Sequence, residues 1–402
     1  MWGVDMGDNS KVRVIIHRGT NQIGGICTEV ATDNTRIFFD FGSPLEGEGN
    51  QDKLEIEGVT KGKVNCDGIF LTHYHGDHVG EIPFIDASIP IYMEKTARKI
   101  LELQQKHMKS VGQPVWANKV NEITVGDPIQ IQDLRITPIA SDHSAANSVM
   151  YLIEGNDRRI LLTGDYRLHG HYRDKLVETL KNLGSINLMI TEGTTITRDA
   201  VNTYDEEWVE KQFKKALEEY KYVFLLTSSS ALDRIAAFSR CVPNGKYMLT
   251  DRYQQDLMKV YDEEREKALK SHKVLYISDY VMKKAEKVGF GMAIRANYMF
   301  PLIVKDFFER YPDDTILLYS MWKGYRELPS IKKLLNICNG KERTIHVSGH
   351  VTKEDLEQVL EIIKPQKLIF YHTSMDEKVK GGIVIPSVTK ELRITDGIKI
   401  EL

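Results

Sequence analysis

Short apolar runs, each closed by a residue that can hold a metal or move a proton, recur along the chain. CDGIFL leads into THYHGDH, LRITPIA into His143, RILLTG into Asp165, INLMIT into Glu192 and KLIFY into His372. Four or five apolar or β-branched residues between polar turns predict buried strands, and the closing residue then lies at a strand's C-terminal edge. Between Asp165 and His372 lie about two hundred residues, far too many for a loop. Here the pattern changes period: DEEWVEKQFKKALEEY predicts an amphipathic helix, YVFLLT a buried strand, ALDRIAAFSRC a helix and KYMLT a strand, and DDTILLYS and RTIHVS continue the series. Such alternation predicts an α/β domain with a mainly parallel sheet, inserted into a first fold.

The densest chemistry is THYHGDH, residues 72–78, which sets His73, His75, Asp77 and His78 together directly after a strand. In extended or turning backbone alternate side chains share a direction, so His73 and His75 can converge on one ion while Asp77 and His78 address a point beside it. Two adjacent metals need about eight ligand positions, some of them water or a shared carboxylate. His143, Asp165 and His372 are the remaining candidates, each alone at a predicted strand end.

HxHxDH, then a lone His, a Gly-Asp and a late His, in this order, resemble the metallo-β-lactamase superfamily. That resemblance implies a layered α/β sandwich in which His73, His75 and His143 hold one zinc, Asp77, His78 and His372 hold a second, and Asp165 bridges them; manganese is the alternative metal. It also implies a bridging hydroxide as nucleophile, with Asp77 helping to position it. Paired ions about 3.5–4 Å apart lower the pKa of water and clamp both oxygens of a phosphodiester undergoing displacement.

The inserted α/β segment, framed by Glu192 and by HVSGH, resembles the β-CASP group of nucleic-acid hydrolases. The second histidine of HxSGH is similar to ribonuclease J and the RNA-processing members. Residues 1–198 are then the first part of the metallo-β-lactamase domain, 199–345 the β-CASP domain and 346–402 the returning part. HVSGH also has a physical reading of its own. TKEDLEQVLEII after it predicts an amphipathic helix, with Thr352 and Asp355 at capping-box spacing. Ser348, Gly349 and His350 therefore precede a helix N-terminus, where exposed N–H groups and the helix dipole favour a phosphate and Gly349 admits close backbone approach. His350 is placed to donate a proton, Glu192 to orient it or a ligand histidine, and His346 lies in the same motif.

LLTSSSALDRI is a second candidate phosphate site, through Ser229, Ser230 and Arg234, although Ala231 stands where ribonuclease J-like chains usually have Asn. The plain alternative is a serine N-cap with Arg234 in a surface ion pair. His169 and His171 of LHGH follow the end of their strand and read as loop residues beside the cleft, and the Gly24-Gly25 turn reads as steric. Trp322 and Tyr325 are read as interdomain core, with base stacking as the alternative. Thirty residues follow His372, and GGIVIP, ELRIT and IKIEL among them read as closing strands.

Composition narrows the remaining readings. With 402 residues, 42% of them apolar, and no apolar run near eighteen residues, the chain can bury two cores and crosses no membrane. MWGVDMGDNS has no export signature, and Cys27, Cys66, Cys241 and Cys338 are scattered, as in a reducing cytoplasm. A net charge of −3 excludes nonspecific adhesion to nucleic acid, so RNA must enter a local groove. The expected activity is a zinc-dependent phosphodiesterase of the ribonuclease J kind, working from the 5′ end, internally or both. A dinuclear hydrolase of DNA ends or small esters, a non-catalytic RNA-binding member and a homo-oligomeric state stay open.

Overall fold

A computed structural model describes residues 11–47, 49–196, 204–373 and 383–402. Among these, two seven-stranded sheets stack face to face. The first runs Lys399–Glu401, Arg13–Arg18, Cys27–Ala31, Arg36–Phe39, Gly68–Phe70, Ile91–Glu94, Val120–Ile123; the second runs Lys390–Glu391, Lys367–Tyr371, Leu188–Glu192, Arg158–Leu162, Val149–Gly155, Leu134–Ala140, Ile129–Ile131. Their inner faces share one apolar layer that includes Val14, Phe39, Phe70, Tyr151, Ile190 and Ile369. The helices Arg173–Lys181 and Lys353–Ile363 cover the outer face of the second sheet through Leu176, Leu180, Leu356 and Leu360.

A third, six-stranded sheet is built between Tyr222 and Thr344, and every pairing in it is parallel. Its central strands Tyr222–Leu226, Phe290–Ile294 and Thr315–Tyr319 are buried along their whole length, which is why they read as continuous apolar runs instead of alternating ones. Helices cover both faces, so this is the expected α/β arrangement. The flanking strands Leu188–Glu192 and Lys367–Tyr371 are parallel neighbours, and the loop returning from the third sheet meets Glu192 through His350 at 3.0 Å, so the chain leaves and re-enters the sandwich at one place. The junction expected at 198/199 lies outside the described residues. One core runs from Leu71 and Tyr74 of the sandwich into Val209, Phe213, Leu232 and Ile235, joining the third sheet's helices to the first sheet's side.

Three local expectations change. RTIHVS forms only the short strand Glu342–Thr344, after which 345–351 run as loop. IVIP at 383–386 is not a strand, and closure falls to Lys390–Glu391 and Lys399–Glu401. The helix Leu232–Cys241 takes Ala231 at its N-cap with no side-chain bond, so no serine caps it. Trp322 and Tyr325 pack edge to face at 5.5 Å beyond the strand Thr315–Tyr319. All four cysteines are free thiols; burial pushes Cys66 and Cys241 up to about 12.

Candidate metal centre

Every ligand-type residue singled out at a strand end arrives at one place. His73 and His75 follow the strand Gly68–Phe70, and Asp77 and His78 lie in the one-turn helix Gly76–Val79. Two backbone loops cradle that turn: Ile26 N donates to Asp77 O at 3.0 Å, Phe41 N to His78 O at 2.7 Å and Ser43 N to Gly76 O at 3.0 Å. The approach demands glycine, because a Cβ on Gly42 would stand 1.7 Å from the Asp77 carbonyl oxygen. Gly24, at φ +78, would bring a Cβ within 3.0 Å of Asp77 Cβ, so the Gly24-Gly25 turn is a steric allowance for the ligand turn.

Ligand atoms of His73, His75 and His143 lie within 4.8 Å of one another, as do those of Asp77, His78, Asp165 and His372. Asp165 Oδ2 stands between the two groups, 3.3 Å from His78 Nε2, 3.8 Å from His143 Nε2 and His372 Nε2, and 3.9 Å from His73 Nε2. Four of the five rings are aimed by a partner behind them. Nδ1 of His73 meets Thr72 Oγ1 at 3.0 Å, that of His78 meets Asp40 Oδ2 at 2.8 Å, that of His143 meets the Gly349 carbonyl at 2.6 Å and that of His372 meets Thr194 Oγ1 at 2.7 Å. In these four the Nε2 atoms therefore turn inward, while His75 presents Nδ1, 3.3 Å from His143 Nε2. Asp40, Thr72 and Thr194 were not singled out by the sequence, although FDFG offers Asp40 the same strand-end placement as Asp165.

The buried environment sets the protonation of these groups. Burial drives His73 and His143 well below the ordinary imidazole range, and it lowers His75 to about 4 despite nearby Asp77 and Asp165. Burial also opposes charge on His78, but Asp165 and Asp40 outweigh it and hold that ring well above the ordinary value. Burial likewise opposes charge on both carboxylates, yet His372 and His78 prevail and keep Asp77 and Asp165 below the usual range. Nε2 of His73, Nε2 of His78 and Oδ1 of Asp165 have no hydrogen-bond partner although they are fully enclosed. A buried polar atom without a partner costs about 1–3 kcal/mol. Imidazole nitrogens and carboxylate oxygens left open toward one point are the donor set of a divalent transition metal, so the residues fit the two ions expected of them.

Glu192 is fully buried; its Oε1 accepts from Tyr166 N at 2.8 Å and its Oε2 from His350 Nδ1 at 3.0 Å. His350 Nδ1 is also 3.6 Å from Asp165 Oδ2, which places the ring against the second ligand group. Gly349 is needed there, since a Cβ would lie 2.6 Å from Ser144 Oγ and 3.3 Å from His143 Cε1. Thr352 caps the following helix, accepting from Asp355 N at 3.1 Å. His346 is half-buried, two positions before Ser348.

The LLTSSSALDRI residues divide. Ser229 and Ser230 lie half-buried just beyond the strand Tyr222–Leu226, where Tyr74, the residue between His73 and His75, donates its hydroxyl to the Ser230 carbonyl at 3.4 Å. Arg234 turns inward instead: it is 6% exposed, and it donates to Glu206 Oε1 and Ser320 Oγ, both at 2.7 Å. Neither a phosphate ligand nor a surface pair, it belongs to an interior ion cluster with Glu206, Arg167, Asp142 and Asp233. Burial opposes the Glu206 charge, but Arg234 and Arg167 prevail and lower its carboxyl to about 2.

A family model described as a beta-lactamase superfamily domain matches residues 44–222. The protein named Probable RNase MJ4, from Methanocaldococcus jannaschii, is 22% identical over 92% of this chain and 94% of its own length. Ribonuclease J of Thermus thermophilus is 24% identical over 92% of this chain and 70% of its own length. Ribonuclease J of Helicobacter pylori is 22% identical over 92% of this chain, and the chain spans only 57% of that relative. A crystal structure of a protein of unknown function from Enterococcus faecalis superposes with a TM-score of 0.78 at 19% identity, covering 98% of this chain and all of that one, and so shares its fold.

Proposed function

We propose that the chain, whose residues 44–222 match a beta-lactamase superfamily domain, is a metal-dependent hydrolase with RNA as its substrate and the activity of a ribonuclease J-like enzyme. The names of the relatives support the substrate, and one geometric observation carries the reading: a histidine held by a buried glutamate stands beside the second ligand group. Two zinc ions, or manganese in their place, held by His73, His75 and His143 and by Asp77, His78 and His372 with Asp165 between, would acidify a water and neutralise the phosphate.

The chain's own residues supply the rest. Glu192 accepts the Nδ1 proton of His350, which orients the ring and favours its doubly protonated form, with Nε2 toward the substrate side. In that form His350 gives its Nε2 proton to the leaving oxygen and is left as the neutral Nδ1–H imidazole. Asp77, held at 3.2 Å by His372 Nε2, aligns the attacking water. Ser348, Gly349 and the N-terminus of the helix Lys353–Ile363 offer a seat for the phosphate, and His346, Ser229 and Ser230 are further candidates to contact the RNA. Four free thiols accord with a cytoplasmic setting, and among the described residues no helix is long and apolar enough to cross a membrane.

The test is His350→Ala assayed on RNA and on a small phosphodiester with an activated leaving group. RNA cleavage should fall about 10²-fold or more, and the small substrate, which needs no proton on its leaving oxygen, much less. Equal losses would reduce His350 to a support of the metal site, and an inert wild type on RNA would favour DNA ends or small esters. Products from RNA bearing a 5′ monophosphate then distinguish cleavage from the end from cleavage within.

A further inference from the structure

The loop Ser348–His350 is held from three directions, and only two of the holders have a role so far. Gly349 O accepts from His143, a member of the first ligand group, at 2.6 Å, and His350 Nδ1 donates to Glu192 at 3.0 Å. The third holder is His169 of LHGH, whose Nε2 lies 2.7 Å from the Ser348 carbonyl oxygen. A carbonyl can only accept, so Nε2 carries the proton. The other nitrogen stands 3.7 Å from Asp355 Oδ2, beyond hydrogen-bond reach, with the side chain 12% exposed. His169 is itself anchored, because its carbonyl accepts from Glu206 N at 3.2 Å, at the edge of the interior ion cluster.

We propose that His169 is a positioning residue for proton transfer, fixing the Ser348–Gly349 peptide so that His350 faces the leaving oxygen. The proposal rests on the ribonuclease reading for its substrate but not for its geometry. The peptide needs such a restraint because Gly349 carries no side chain to resist rotation. A shift of about 1 Å in a catalytic group can cost about 10²-fold in rate. His171, two positions on, serves as the contrast: its Nε2 faces Glu210 at 3.6 Å, away from the loop.

The donor's position dictates the experiment. A glutamine amide reaches the place of a histidine Nε2, whereas an asparagine amide stops at that of Nδ1. His169→Asn and His169→Ala should lower kcat on RNA about 10- to 100-fold with KM changed less than about threefold, and His169→Gln should restore most of it. Hydrolysis of an activated small phosphodiester and metal content should stay near wild type in all three, as should every activity of His171→Ala. Amide hydrogen exchange at 349–351 should quicken about tenfold in the Asn and Ala variants and return to normal in Gln. Unchanged exchange in folded Asn and Ala variants, or a Gln variant as impaired as Asn, would overturn the proposal. So would equal loss on both substrates. If the wild type cleaves no RNA, the ribonuclease reading falls alone, and the exchange rates still decide for or against His169; should Ala fail to fold, Gln against Asn decides.

Discussion

Two buried, charge-rich clusters lie side by side in this molecule and share stretches of sequence: His143 follows Asp142, and Asp165 stands two positions before Arg167. In the ion cluster the guanidinium of Arg167, 1% exposed, reaches Asp142, Glu206 and Asp233, and Arg234 and Arg265 face carboxylates too. In the ligand cluster, equally enclosed, inward nitrogens of His73 and His78 and one oxygen of Asp165 have no hydrogen-bond partner. Burial and charge density are alike, so neither separates a structural site from a chemical one. What separates them is whether opposite charges close on each other or leave donor atoms converging on a common point.

The strongest way to break this distinction is to delete the candidate ligands. His73→Ala with His75→Ala should remove at least one metal ion per chain, measured by elemental analysis, and abolish turnover while circular dichroism stays native; full metal retention would show that the convergent nitrogens are not ligands. The ion cluster predicts the converse. Glu206→Ala leaves Arg234 without its carboxylate and should cost about 3–5 kcal/mol in denaturant unfolding, with metal content retained. Its pH signature has a definite sign. A carboxyl lowered from 4.5 to about 2 on folding contributes stability that is fully present above pH 4.5 and is lost as pH falls toward 2. Glu206→Gln should therefore flatten acid unfolding in that window.

Smaller effects test the residues behind the ligands. Asp40→Asn weakens the hold on His78 Nδ1 and should reduce affinity for the second ion about 10- to 100-fold in a chelator competition, leaving the first ion in place. Thr352→Ala removes the cap of the helix behind His350 and should cost about 1 kcal/mol of stability with no loss of metal. A larger metal effect from the cap than from Asp40 would invert the assignment of roles.

The sequence exposes one half of this contrast far better than the other. Strands and their closing residues are local patterns, so His73, His75, Asp77, His78, His143, Asp165 and His372 are legible as a set in the order of residues alone. The residues that aim them are not, because their partners are remote: Asp40 and His78 are 38 positions apart, Thr194 and His372 178, His169 and Ser348 179. Arg234 shows the opposite failure. Its strand, serine-rich turn and helix promise an anion site, and nothing nearby in sequence reveals that Glu206 packs over the same guanidinium.

The place where the chain leaves and re-enters the sandwich also has a kinetic side. Glu192 and His350, which meet there, are 158 positions apart, and closing so long a loop from a disordered chain costs about 4–5 kcal/mol of entropy beyond a constant. The third sheet, contiguous between Tyr222 and Thr344, can remove most of that cost by folding first and bringing its own ends together. His73, His75 and His143 all precede the inserted segment in sequence, whereas the second group draws Asp77, His78 and Asp165 from before it and His372 from after it. The second group therefore closes only when the two flanks of the inserted segment meet, which a folded third sheet assists.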